Sequence, residues 1–268
     1  MPPATVDAVY LELILAPLRE CAKYRPAFGK ESGEGVTLEQ FRTFYGGDLL
    51  YHWVGLDSDL MYAAHKAAGG MTSIYRQLGI GCERLLRGIV IDSFSTTENA
   101  AKWSYDYEKE DGGSATHTLD IRIDIESLSS PEHKARLSGW LKKCSDALGL
   151  LPERAQDLKG VVMEVRQGYK SADSKRQNAD LRFGLRAYNE NYLPAIVIVS
   201  SQVSEPVSRR YRSSQLLVLT GSVGDATTST FSFYREVVGY DLAGFFQRNS
   251  LELRREFGKV LEALLTPA

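Results

Sequence analysis

Glu164 and Arg166 stand two residues apart at the end of the apolar run Val161-Val162-Met163, a spacing that puts both side chains on one face of a strand. A carboxylate and a guanidinium at the end of a core strand need a reason. One is a divalent cation held by Glu164, with Arg166, Lys170 or Lys175 facing an anionic substrate. The other is an ion pair between Glu164 and Arg166 that closes the strand end. The chain beyond is rich in cations. Gly168 permits an unusual turn, and Asp173 or Ser174 can cap a helix whose first turn carries Lys175 and Arg176. Cations there oppose the helix dipole, so an anion is expected nearby, either a phosphate or the carboxylates of the site. On the same helix Lys175, Arg182 and Arg186 make a positive stripe beside an apolar one built from Gln177, Leu181, Leu185, Tyr188 and Tyr192.

A second acidic strand lies upstream. In Thr116 to Glu126 the residues Leu119, Ile121, Ile123 and Ile125 alternate with Asp120, Arg122, Asp124 and Glu126, an unbroken period of two. A solvated outer face of a half-buried strand accounts for Arg122, Asp124 and Glu126. Asp120 is the member with a claim to chemistry.

Taken together, these pieces resemble the PD-(D/E)XK nucleases, and more narrowly the type II restriction endonucleases. There a helix precedes a meander of strands, one strand gives an Asp, the next gives Glu-x-Lys, and a helix leads to a further buried strand. The matching positions here are Asp120, Glu164-Val165-Arg166, the helix from about Ser174 to Tyr192, and the strand Pro194 to Ser200. Arg166 stands where Lys is usual, and a helix from Pro131 to Leu148 intervenes between Asp120 and Glu164. The resemblance covers roughly residues 72 to 220. It implies an α/β fold with a mixed central sheet flanked by helices, and Mg²⁺ held by Asp120 and Glu164. It also implies a catalytic cation at Arg166 or Lys170, double-stranded DNA as substrate, and a homodimer. Glu83 joins as a secondary acidic candidate, on a helix stripe where pairing with Arg76 and Arg87 is the plainer explanation. The rival readings are a non-catalytic DNA-binding or interaction protein on the same scaffold, and a structure-specific repair or mobile-element nuclease.

The elements that must position these residues follow from local pattern. A helix is expected from about Thr5 to Cys21, kinked or ended by Pro17. Thr37 to Gln40 reads as a capping box, and a short helix from about Ser58 to Ala68 is expected to stop at Gly69-Gly70. A separate helix from Thr72 carries Ile74, Leu78, Gly81, Leu85 and Ile89. Gly79, Gly81 and Cys82 are poor helix formers there, which is expected where another backbone packs closely. The runs Ala195 to Ser201 and Leu216 to Gly221 are buried strands. The connector between them holds Arg209, Arg210 and Arg212 around Tyr211, a mixture suited to phosphate or base contacts. Gly224 to Tyr234 is a polar loop or long hairpin. The helix from about Ser250 to Leu265 covers the core or pairs with a second subunit. One domain is expected: a helical region over 1–70, a catalytic core over 72–220, and a C-terminal loop and helices over 221–268.

A formal charge of −2 excludes a histone-like, broadly basic DNA-coating protein but not a DNA enzyme, because local patches decide binding. Cys21, Cys82 and Cys144 are far apart and odd in number, so neither a disulfide framework nor a CxxC site is present, which fits a reducing cytoplasm. The four histidines show no paired metal spacing. The first residues lack a signal-peptide pattern, and no run reaches the ~18 apolar residues of a membrane span.

Overall fold

The computed structural model describes residues 3–28, 35–108, 112–168 and 174–267, with the side chains of residues 3–5, 174 and 175 outside the description. Its elements in order are α1 (Pro3–Glu20), α2 (Leu38–Gly46), α3 (Leu49–Trp53), α4 (Asp59–Phe94), β1 (Trp103–Glu108), β2 (Ser114–Leu119) and β3 (Ile121–Asp124). Then come α5 (Pro131–Leu148), α6 (Pro152–Gln156), β4 (Gly160–Arg166), α7 (Ser174–Asn189) and β5 (Tyr192–Ile198). The chain ends with α8 (Glu205–Ser213), β6 (Leu217–Leu219), α9 (Thr230–Phe233), a π-helical turn (Tyr234–Val238), α10 (Leu242–Arg248) and α11 (Ser250–Leu265). This is a mixed α/β protein with two sheets. Among the described residues no helix is long and apolar enough to cross a membrane.

The chain divides into two compact units, residues 1–81 with 247–268, and residues 82–246. These boundaries differ from the division at 70 and 220 within a single domain that the sequence pattern implies. The first unit is helical. Thr37 caps α2 and Gln40 reaches back to its N–H, the expected capping box, and Val36, Phe41 and Tyr62 pack beside it. Leu15, Leu18 and Cys21 pack with Ile74, Val260 and Leu264. The expected first helix is α1, and Pro17 lies inside it without ending it. One expectation fails here. The two helices expected on either side of Gly69-Gly70 are one 36-residue helix, α4. A Cβ on Gly69 would lie 2.0 Å from the Tyr24 hydroxyl oxygen, and one on Gly70 would lie 2.6 Å from Leu264 Cδ2. The glycines serve close packing, and packing outweighs the ~1 kcal/mol helix penalty that each carries. Gly81 is used the same way against Ile14 Cα, whereas Gly79 has nothing near it.

The second unit holds the sheets. β1 and β2 form an antiparallel hairpin, with Trp103 opposite Leu119 and Tyr105 opposite His117. The larger sheet has the order β3-β4-β5-β6, with β3 antiparallel to β4 and the other pairs parallel. β4 and β5 are buried along almost their whole length, which is why both read as continuous apolar runs. The hairpin face carrying Trp103 and Leu119 joins Val162, Phe183, Ile196 and Tyr211 in one core cluster. Gly160 opens β4 because a Cβ there would sit 2.1 Å from the Ile123 carbonyl oxygen. The β3–β4 register therefore depends on that glycine.

Two stretches differ from the pattern expected of them. Leu185 is 69% exposed, while Phe183 and Ala187 face the core, so the apolar stripe of α7 is rotated from the expected one. The polar stretch after Gly224 holds α9, whose N-cap Ser229 accepts from the Ser232 N–H. Thr230 there donates to the Ile198 carbonyl at the end of β5.

Candidate active site

The acidic strand changes partners at Asp120. Residues up to Leu119 pair with β1, and residues from Ile121 pair with β4. Asp120 itself lies between β2 and β3; extending the register one step back from Ile121 opposite Met163 brings it level with Glu164. The two carboxylates that the sequence singled out are thus neighbours. Like charges in that position destabilise a sheet unless a proton or a cation separates them.

Asp120 is held from two sides. The Val165 backbone N–H donates to its Oδ2 at 2.7 Å. Arg87 Nη1 donates to its backbone carbonyl at 3.2 Å. Burial, the Glu164 charge and the Glu83 charge push its carboxyl up to about 8, against the opposing hydrogen bond from Val165. Without a cation, Asp120 keeps its proton near neutrality.

Glu164 is only 7% exposed. Its Oε1 accepts from Arg166 Nη1, and Arg166 Nη2 reaches Asp180 Oδ1 at 3.1 Å. The Tyr211 hydroxyl completes the chain by donating to Asp180 Oδ2 at 2.6 Å. Burial alone would raise the Glu164 carboxyl, but the neighbouring His117 imidazole and Arg166 guanidinium outweigh it and hold Glu164 below its ordinary value. Burial likewise disfavours the Arg166 charge, yet Glu164 and Asp180 overcome this and raise its pKa. The Asp120 carboxyl is thus shifted up and the Glu164 carboxyl down, the pattern of a pair whose environments drive their pKa values apart.

Glu164 Oε2 is buried and has no hydrogen-bond donor among the described residues. His117 Nε2 is 3.8 Å from it, an ion-pair distance too long for a hydrogen bond. A buried carboxylate oxygen without a donor, opposite a second carboxylate, is a donor set suited to a hard divalent cation. Among the described residues, however, no three His, Cys, Asp or Glu side chains converge as a metal-holding group. The reason is visible in the partners. Oδ2 of Asp120 is turned to Val165, Oε1 of Glu164 to Arg166, and Glu83 pairs with Arg87 at 3.2 Å.

The other sequence candidates separate clearly. Glu83 is close enough to Asp120 to raise its pKa, and it also makes the helix salt bridge with Arg87 that its spacing implied. Lys170 lies outside the described residues, and so does the side chain of Lys175. Arg176 and Arg182 are exposed on α7. Arg209 makes a surface pair with Glu205 at 3.5 Å. Arg210 ties α8 to α7 through Gln177 at 2.8 Å and Asn178 at 2.7 Å. Arg212 is exposed, but Tyr211 between these arginines is 1% exposed and bound to Asp180, so it is not available to a base.

Sequence reasoning missed Asp180 and His117. No periodic signal marks Asp180 as the second partner of Arg166. His117 was legible in principle, since it alternates with Leu119 on one strand face and therefore points the same way as the core. Compared with known proteins, the chain matches no family model, no curated protein and no solved structure.

Proposed function

We propose that this protein is a Mg²⁺-dependent endonuclease of double-stranded DNA with a restriction-endonuclease-like core, acting as a type II restriction enzyme. One arrangement carries the reading: Asp120 lies beside Glu164, its Oδ2 on the Val165 N–H, and one Glu164 carboxylate oxygen is buried with no donor among the described residues. The order α4, the β1–β2 hairpin, β3, α5, α6, β4, α7, β5 supports it, because a long helix, a hairpin leading into the sheet and a crossover helix between parallel strands accompany the pair.

Asp120 and Glu164 would hold the Mg²⁺, with Glu83 beside Asp120. When bound, the ion supplies an activated water and neutralises charge developing on the phosphate. The protein's own groups prepare for this. Asp120 would release its proton on helping to hold a cation. Arg166, braced by Asp180 and Tyr211, fixes the orientation of Glu164 and places a permanent positive charge beside it. Exposed Arg182 and Arg186 on α7 would take backbone phosphates. A homodimer belongs to the same proposal, since cutting both strands requires one such site for each.

The buried network Glu164–Arg166–Asp180 favours the rival reading, a non-catalytic DNA-binding protein in which those three residues are structural. Incubation with Mg²⁺ and phage DNA of known sequence, followed by mapping of fragment ends, separates the alternatives. Discrete ends at one short sequence support the restriction enzyme. Cuts at junctions or scattered nicks support a structure-reading nuclease, and intact DNA supports the binding protein.

A further inference from the structure

Beside the carboxylate pair lies a cavity of about 450 Å³ lined by residues of the β1–β2 hairpin and α7. Tyr105, Tyr107 and His117 come from the hairpin, and Arg182, Leu185 and Arg186 come from α7. We infer that this cavity holds an unstacked nucleotide of the bound strand, its base against the tyrosines and its flanking phosphates on Arg182 and Arg186.

The hairpin places rings in series along one face. Trp103 and Tyr105 centroids are 5.4 Å apart, Tyr105 and Tyr107 6.3 Å, and Tyr105 and His117 5.5 Å in an edge-on contact. Trp103 is buried in the core, whereas Tyr105, Tyr107 and His117 are half-buried, so the series begins as core and ends as an accessible wall. Across from it, Leu185 is a large apolar side chain left exposed at the cavity lining. Aromatic faces with an apolar floor bind any base by stacking. The arginines add the anion preference: Arg182 and Arg186 both pull on the Tyr105 phenol, which burial pushes up. Glu108 also lines the cavity and disfavours an anion on its side, leaving the arginines as the phosphate end.

The volume lies in the ~300–1,000 Å³ range of sites for small organic ligands. A B-form duplex keeps its bases stacked inside, so only a nucleotide turned out of the helix, or one in a single strand, can present a base here. His117 connects the cavity to the scissile chemistry, because it lines one and approaches Glu164 in the other.

The test is equilibrium binding in EDTA of an oligothymidylate and of an abasic sugar-phosphate strand of equal length. The wild-type protein is expected to bind the oligothymidylate roughly 5- to 150-fold tighter, the range for stacking one base. Tyr107→Ala should erase that ratio and Tyr107→Phe should keep it, while Arg182→Ala with Arg186→Ala should weaken both strands together. Equal wild-type affinities, no binding of either strand, or an unchanged ratio in Tyr107→Ala overturns the inference. The cavity takes its nucleotide from the nuclease reading proposed above, but this assay contains no metal and measures no cleavage. A protein that cuts DNA without the base preference loses only the cavity assignment; one with the preference that never cuts loses only the nuclease.

Discussion

Replacing Asp120 with asparagine should make the metal-free protein more stable at alkaline pH. Burial and the charges of Glu164 and Glu83 oppose ionisation of the Asp120 carboxyl and push it up from an ordinary 3.8 to about 8. A raised carboxyl pKa means the folded state keeps a proton that the unfolded chain releases. Its contribution is full below the unfolded value and is lost as pH rises through the folded one. Between those limits stability falls by up to about 1.4 kcal/mol for each pH unit from this residue alone. For a chain of this size that corresponds to roughly 3–5 °C in Tm per unit. Asparagine cannot ionise, and its amide oxygen can still accept from the Val165 N–H that now binds Asp120 Oδ2. Thermal melts of both proteins in EDTA, from pH 5 to pH 8.5, isolate the effect in their difference, since other titrating groups cancel. The Asp120→Asn protein should gain on wild type steadily as pH rises. Parallel melting curves across the range would refute the raised Asp120 carboxyl, and with it the burial and neighbouring charges given as its cause.

Other outcomes follow from the same geometry. Asp120→Ala and Glu164→Ala should each lower cleavage by at least roughly 10²-fold while DNA binding persists, as read by single-turnover rates beside a binding assay. Arg166→Ala strands two buried carboxylates, Glu164 and Asp180, and should cost about 3–5 kcal/mol in urea denaturation. Arg166→Lys keeps the charge but cannot grip both partners, so it should retain substantial activity at lower stability, with Lys170→Ala mild by comparison. Gly160→Ala forces a Cβ onto the Ile123 carbonyl and should destabilise by about 1–3 kcal/mol or more, disturbing the register that opposes the two carboxylates. Lys175→Ala and Arg182→Ala should each weaken duplex binding and reduce its salt slope by about one, without changing sequence preference.

Much of the second unit was readable because its signals are local. β4, β5 and β6 are short apolar runs, and α5 carries Ser130 as N-cap and Gly149 in the left-handed conformation at its end; in the first unit α11 repeats an apolar face. What failed depended on distant partners. Gly69-Gly70 looks like a stop signal until Tyr24 and Leu264 are packed against it. Tyr211 looks like part of a surface basic patch until Asp180 is seen to accept its hydroxyl. The hairpin strand β1 was overlooked although Trp103, Tyr105 and Tyr107 alternate with polar residues, and the cavity wall went with it. For the candidate site, Asp120 and Glu164 were singled out by type and strand position. Their opposition was not readable, because the register linking residues so far apart in sequence is set by pairing rather than by local pattern.

If Asp120 and Glu164 together form a metal-dependent cutting site, single-turnover cleavage of phage DNA, with and without Mg²⁺, by wild type and by Asp120→Asn and Glu164→Gln proteins of verified fold will show it. Cleavage is expected from wild type only, strictly dependent on Mg²⁺, with discrete fragment ends. Cutting that persists in either variant at the wild-type rate, or a wild-type protein that binds DNA and leaves it intact with Mg²⁺ present, would contradict that reading.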